Sequence, residues 1–337
     1  MKIKTINIFI SVGAAILFMW LALKNIDLAD LWIQISQVTF YWLPFFFIIL
    51  GISHFLRAER WRLMLNEHSQ KTSRHTLFAG VMLGYMVNSV IPRLGEVSRP
   101  IYVAKKSNSS PGNLIGTVVA ERIFDVVTML FLTLIGAFWL VSDLEKLYSL
   151  LGIETWSNAY YFFIPVVIIL LFLGIWLFYK IIFYVDANIH FQNPVLSKII
   201  SSGKSFGEGL ISLRNVKNWP LFLFLTLTIW FGYILMVYLP FHMMEMQTQF
   251  GLTLPDAVVL TVVSSVGVSI PTPAGIGSYH LLMQQSLWTL YDVPLTKALT
   301  YATIVHAASI ISVFIIGPIS LWWDKTHILT ALSKSDT

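Results

Sequence analysis

Not one cysteine occurs among the 337 residues of this chain, which excludes disulfides, thiolate metal sites and a cysteine nucleophile. Charge is scarce as well. Only 12% of the residues are Asp, Glu, Lys or Arg, against 56% hydrophobic, whereas soluble domains carry about 25% charged residues. With a mean hydropathy of +0.74, this is the composition of an integral membrane protein. The longest polar stretch, 186–218, is too short to bury a core of its own, so any chemistry belongs to the helix bundle or its surfaces. A P-loop, a nucleophile elbow, a dinucleotide-binding glycine motif and the His-Glu-x-x-His spacing are all missing. No cofactor and no metal are therefore expected. The net charge of +5 is spread along membrane boundaries, which argues against a nucleic-acid partner.

What the chain does contain is apolar runs long enough to span a bilayer, at about 20 residues each. They lie near 6–24, 40–57, 114–141, 159–183, 219–243 and 298–323. The first follows Lys2 and Lys4 and runs on into Phe18, Met19 and Trp20, the pattern of a membrane helix and not of a cleavable signal. Two apolar segments, 76–106 and 256–291, remain. Each is too long for one simple helix and is interrupted, by GYMVNSVIPRLGEVSRP at 84–100 and by SSVGVSIPTPAGIGSYHLL at 264–282. Such breaks are tolerated at membrane depth only inside protein or beside a polar cavity, and paired broken segments point to a transport site.

Treating both as re-entrant hairpins leaves six crossings and both termini on one side. That side then collects 18 of the 22 basic residues, while Lys24, Lys146 and Lys297 fall on the other and Arg122 lies within the membrane. If both segments crossed fully, Lys180 to Lys217 would change sides and the positive-inside asymmetry would fail. The expected architecture is an all-α integral membrane protein forming a single transmembrane domain over 1–337. It has about six spanning helices and two oppositely oriented re-entrant helical hairpins in an inverted repeat, with cytoplasmic termini. The half-repeats cover about 40–141 and 219–323. The linker between them, about 186–218, places Val195, Leu196, Ile199 and Ile200 on one face and reads as an interfacial cytoplasmic helix.

Several residues could carry chemistry. Pro92, Arg93, Gly95 and Glu96 form the tip of the first hairpin, where a helix N-terminus attracts anions and Arg93 and Arg99 suit phosphate oxygens. The competing reading has Glu96 capping the helix and Arg99 reaching for the interface. Asn88, one turn earlier, is placed to satisfy freed carbonyls. At the second tip Gly275, Gly277 and Ser278, the last as an N-cap, offer either ligand contact or a tight packing turn. His280 is either a protonation or headgroup site or a hydrogen-bonded structural residue. Glu121, Arg122 and Asp125 are costly in lipid unless paired and form either an ion-pair lock to Arg93 or Arg99, or a gate or proton-coupled site, with Arg122 and Asp125 close enough to pair. His306 occupies the counterpart position in the second half. Arg57, Arg60, Trp61 and Arg62 read as interface anchors or as headgroup contacts.

Together these motifs resemble a known family. R-x-x-R-W-R at 57–62, N-x-x-x-P-x-R-x-G-E-x-x-R at 88–99, E-R-x-x-D at 121–125 and P-T-P-x-G-I-G at 271–277 are similar to the flippase-like transmembrane domain of lysylphosphatidylglycerol synthases (multiple peptide resistance factors). That domain also occurs as stand-alone proteins. The resemblance implies a non-enzymatic protein that binds and moves a phosphate-containing lipid headgroup across the bacterial cytoplasmic (inner) membrane, with Asn88, Arg93, Glu96, Arg99, Gly275, Gly277, Ser278 and His280 at the headgroup. Glu121, Arg122, Asp125 and His306 would line the polar cavity. Relatives often carry Glu where this chain has His280, which leaves the headgroup open. Membrane lipids are the expected partners, joined by an enzyme that supplies a modified lipid. A homo-oligomer is compatible with the pattern. Two rivals stand beside transport: a non-transporting partner of an envelope-modifying enzyme, and an intramembrane lipid-linked transferase using Glu121 or Asp125 as base.

Overall fold

A computed structural model describes residues 2–65, 72–107, 109–141 and 216–335. The run near 159–183 and almost all of the linker near 186–218 lie outside the described residues. Within them the chain is helical, with no strand. The helices are α1 (Lys2–Leu23), α2 (Leu28–Ser36), α3 (Leu43–Met64), α4 (Arg74–Val90), α5 (Gly95–Ser107) and α6 (Pro111–Val141). After the undescribed segment come α7 (Trp219–Met243), α8 (Met246–Phe250), α9 (Leu254–Ser269), α10 (Ser278–Tyr291) and α11 (Leu295–Ser335). Local signals set their starts. Ser73 Oγ accepts the Thr76 N–H at 3.0 Å to cap α4, and Asn218 Oδ1 accepts from Leu221 N at 3.0 Å to cap α7. Thr253 and Asp256 form a capping box on α9, which ties up N–H groups that the helix itself leaves free.

Among the described residues three helical stretches can cross a membrane by length and composition: Phe40–Met64, Trp219–Met243 and Leu295–Lys325. Helices α1 and α2 meet the criterion only as a pair bent by 85°. Helix α6 has 31 residues, about 46 Å at 1.5 Å per residue. The hydrophobic run that stops near residue 57 underestimates α3, which continues to Met64. Its arginines are neutralised inside the protein, so their charge does not end the helix.

Both broken segments are helical pairs folded back on themselves, and small residues let them close. In the first, Gly80, Gly84 and Asn88 of α4 face Gly95, Arg99 and Val103 of α5, two stripes at i, i+4 spacing. A Cβ on Gly95 would sit 1.9 Å from the Gly84 carbonyl oxygen, and one on Gly80 would sit 2.8 Å from Val103 Cγ2. Such close backbone approach is what small residues permit between membrane helices. The turn between the arms puts Arg93 at φ 65°. In the second, Gly267 of α9 lies against the Tyr279 backbone of α10, and Gly275 and Gly277 turn the chain at φ 78° and 82°.

A helix, a broken pair and a helix thus follow one another twice, as α3, α4–α5, α6 and as α7, α9–α10, α11. Helix α3 packs on α7, α4 on α11, and α9 on α6. The turn Pro273–Gly275 at the second tip touches α4 and α1. The main apolar core, with Phe46, Leu50, Phe241, Tyr279, Met283, Leu287 and Tyr301, lies between α3, α7, α9, α10 and α11. A second core of Trp61, Leu77, Val81, Val103, Leu114 and Val118 sits under the first broken pair.

Candidate functional site

Helix α3 turns Arg57, Arg60 and Trp61 to one face at i, i+3, i+4, and all three are buried. Sequence reasoning put them at the membrane interface as anchors. They instead point into the protein, because α6 presents Glu121 and Asp125, also four apart, on the facing side. Only Arg62 keeps a partly exposed place, paired with Glu59 at 2.9 Å, and Glu59 also holds Arg74 at 3.1 Å.

The resulting cluster is dense. Arg57 Nε donates to Glu121 Oε1 at 2.5 Å, its Nη1 to Tyr85 and Tyr233 hydroxyls at 2.8 and 3.0 Å, and its Nη2 to Asp125. Arg60 Nη2 donates to Asp125 Oδ1 at 2.6 Å, while Nη1 reaches Thr226 Oγ1 at 3.4 Å. Arg99, from α5, stacks its guanidinium 3.9 Å from the Trp61 ring centroid, and Trp61 Nε1 donates to Thr117 Oγ1 at 2.8 Å. Arg99 Nη2 stands 2.9 Å from Glu121 Oε2, close enough for an ion pair but too poorly directed for a hydrogen bond. The Nε atoms of Arg60 and Arg99 are likewise buried without a hydrogen-bond partner.

Three buried guanidinium groups thus share two carboxylates, one of them fully buried. A charge inside protein is stabilised only by good pairing, so a third arginine with idle N–H groups leaves an unmet preference for an anion. Arg99 borders a cleft lined also by Arg57, Tyr85, Asn88, Glu96 and Arg122. The cleft volume is about 10 Å³, room for about one water. Anything larger than water enters only if α4–α5 and α6 part. At the mouth Arg122 Nε lies 3.3 Å from Glu96 Oε1, both about 40% exposed. The sequence pairing of Arg122 with Asp125 gives way to this contact, because Asp125 faces α3.

The remaining candidates have different surroundings. Asn88 Oδ1 accepts the Gly95 N–H at 2.6 Å, so it satisfies a freed amide at the start of α5 rather than a carbonyl. Arg93 is exposed at the tip and takes no part in the ion pairs of the cluster. Gly275, Gly277, Ser278 and His280 are buried. A Cβ on Gly277 would meet the Ala15 carbonyl oxygen at 2.5 Å, so α1 covers this tip. Gly277 is the N-cap of α10. Ser278, expected to cap the helix, instead donates its hydroxyl to the Gly267 carbonyl at 2.8 Å. His306 reaches the same tip, with Nε2 2.9 Å from the Ala274 carbonyl, and stays apart from the arginine cluster.

Sequence reasoning missed Tyr85 and Tyr233, whose hydroxyls lie inside apolar helices, and a second cluster built on Asp324. This carboxylate, fully buried, accepts from Thr76 Oγ1 at 2.6 Å, Tyr102 OH at 2.5 Å and Lys106 Nζ at 2.5 Å. It ties α11 to both arms of the first broken pair. A lone acid near the end of an apolar run was the available signal.

Fold and cluster define a membrane protein, helical throughout its described residues, with an arginine-rich polar centre beside a broken helix pair. The chain belongs to the lysylphosphatidylglycerol synthase TM region family, whose pattern matches residues 8–317. Among its relatives, UPF0104 membrane protein MJ1078 of Methanocaldococcus jannaschii is 31% identical over 248 residues, covering 72% of this chain and 96% of that protein. UPF0104 membrane protein MJ1595 of the same organism is 24% identical over 291 residues, 84% of each. No solved structure matches the chain.

Proposed function

We propose that this protein binds the phosphate of a membrane lipid headgroup at the Arg57–Arg60–Arg99 cluster and carries the headgroup across the cytoplasmic membrane while the acyl chains stay in lipid. The observation that carries this reading is the excess of buried guanidinium over carboxylate, with the idle Nε of Arg99 at the cleft. Arginine is suited to phosphate because its planar fork can make two parallel hydrogen bonds. Glu121 and Asp125 hold the arginines in place between passages, and the Glu96–Arg122 pair is the gate at the cleft mouth. Arg93, exposed at the tip, makes the first contact with the headgroup, and Asn88 shapes the entry.

The same reading takes α4–α5 and α9–α10 as re-entrant hairpins of opposite orientation, in an inverted repeat with six crossings and cytoplasmic termini. The reciprocal packing of α4 on α11 and α9 on α6 supports it. So does the helix, broken pair, helix order occurring twice. On this account Gly275, Gly277, Ser278 and His280 serve the outer half once α1 moves aside. The chain acts without cofactor and not as an enzyme, and a separately encoded enzyme supplies any modified lipid.

A leaflet-accessibility assay in proteoliposomes, comparing anionic, zwitterionic and aminoacylated lipids, tests transport. Headgroup-selective flipping that falls at least tenfold in Arg99→Gln supports the reading. Folded protein that flips none of them contradicts transport and leaves the role of a non-transporting partner.

A further inference from the structure

His280 and His306 meet under the tip of the second broken pair, well away from the arginine cluster. Their rings lie 4.8 Å apart, and their Nδ1 atoms face each other at 3.5 Å. Both side chains are buried. The outer partners fix the tautomers. His306 Nε2 stands 2.9 Å from the Ala274 carbonyl oxygen, which can only accept, so Nε2 carries the hydrogen and Nδ1 of the neutral ring is bare. His280 Nδ1 lies 3.4 Å from the Gly277 N–H, which can only donate, so that nitrogen is bare too. His280 Nδ1 has a single lone pair, set between the long contact from the Gly277 N–H and the bare Nδ1 of His306 3.5 Å away, and one proton placed between the two rings turns this meeting of acceptors into a charged N–H···N hydrogen bond.

We propose that His280 and His306 form a binding site for a single proton. The bound proton comes from water as H₃O⁺ gives up H⁺ to one Nδ1, and both imidazoles share it. Two protons do not fit, since each ring would then present a donor to a donor. The neighbouring titratable groups leave the pair to itself. Tyr279 packs beside it, with its ring 4.9 Å from His306 and 5.8 Å from His280. From α1, residues 5–23 bring no titratable side chain, and on α2, which also packs on α11, Asp30 is exposed and Asp27 accepts the Ala29 N–H at the helix start. On α9 Asp256 is engaged with Thr253 at the helix start, and on α11 Tyr301 donates to the Val237 carbonyl and Lys297 to Gln249. On α3 and α4, Arg57 and Tyr85 bond each other and His54 stacks on Tyr85. On α7, Tyr233 bonds Arg57 and Tyr238 packs on His242.

The site bridges two packed elements. His280 starts α10, His306 belongs to α11, and the loop between Ala274 and Gly277 is wedged under α1. Proton uptake fastens the tip to α11 and proton release loosens it, giving the proposed translocation a coupling ion. That use rests on the transport reading; the proton site does not.

Nitrogen-15 NMR of histidine-labelled protein in lipid bilayers tests the site without any lipid substrate. The expected result is one protonation step shared by the two residues as pH falls, each Nδ1 resonance moving by roughly half the full imidazole-to-imidazolium shift. In His306→Gln and in His280→Asn this shared step is lost. Independent full titration of both rings overturns the proposal. So does a neutral pair with a hydrogen on His280 Nδ1, or two rings that stay neutral over the whole pH range in which the fold persists. Circular dichroism of the two variants confirms that the fold is kept, and if one unfolds the other carries the test.

Discussion

Two residues bear most of the local argument. Gly95 sits where α5 starts against α4, and any side chain would run into the Gly84 carbonyl and the Asn88 side chain. Gly95→Ala should cost about 3 kcal/mol, the upper end of overpacking costs, as read by thermal unfolding in detergent. A change under 1 kcal/mol would mean that the two helices separate at no cost. Asp125 holds Arg57 and Arg60 together. Asp125→Ala leaves two buried guanidinium groups short of a partner, and removing one member of a buried pair costs about 3–5 kcal/mol. The sequence disclosed that Glu121 and Asp125 need partners, because charge in an apolar run is expensive. It did not disclose which. Arg57 and Arg60 stand where hydropathy ends a span, and only the depth of α3 in the folded protein distinguishes an interface anchor from an internal cation.

Helical breaks were legible at the scale of elements for the same chemical reason. Pro92 with Gly95, and Pro271 and Pro273 with Gly275 and Gly277, interrupt otherwise apolar helices, and the structure folds each segment into two packed arms. The sequence could not show what covers each tip. The first borders the arginine cleft, whereas the second lies beneath α1, a contact set by tertiary packing of Gly277 against Ala15 and Met19. Asp324 was overlooked because its partners Thr76, Tyr102 and Lys106 come from segments over 200 residues away. Its position makes it the fastener of the first broken pair to α11. Hydrogen bonds to a charged group contribute about 1.5–3 kcal/mol each. Asp324→Asn should therefore accelerate amide hydrogen exchange along α5 and leave α10 unchanged. Equal acceleration in both helices would mean that the contact stabilises the whole fold and not this element.

For the whole molecule, the central issue is how the two broken pairs sit in the bilayer. The absence of native cysteine makes single-cysteine labelling unambiguous. Arg74→Cys and Ser109→Cys flank the first pair and should react with an impermeant maleimide from one side only. Thr248→Cys and Pro294→Cys flank the second and should react only from the other. Labelling of the two flanks of one pair from opposite sides would refute re-entry. Arg57, Arg60 and Arg99 belong to the interior and drop out of the positive-inside count, which leaves 15 of the 18 basic residues on the expected side against 3 opposite, and the labelling decides the orientation.

The account depends on a buried anion site beside Arg99, and the most direct measurement is binding. Purified protein would be titrated with a short-chain phosphatidylglycerol and, separately, with the matching diacylglycerol that lacks the phosphate, with thermal stabilisation as the readout. The account predicts stabilisation by the phospholipid alone, and affinity at least about tenfold weaker in Arg99→Gln, the size of one lost charged hydrogen bond. Equal stabilisation by the uncharged lipid, or unchanged affinity in the variant, would contradict it.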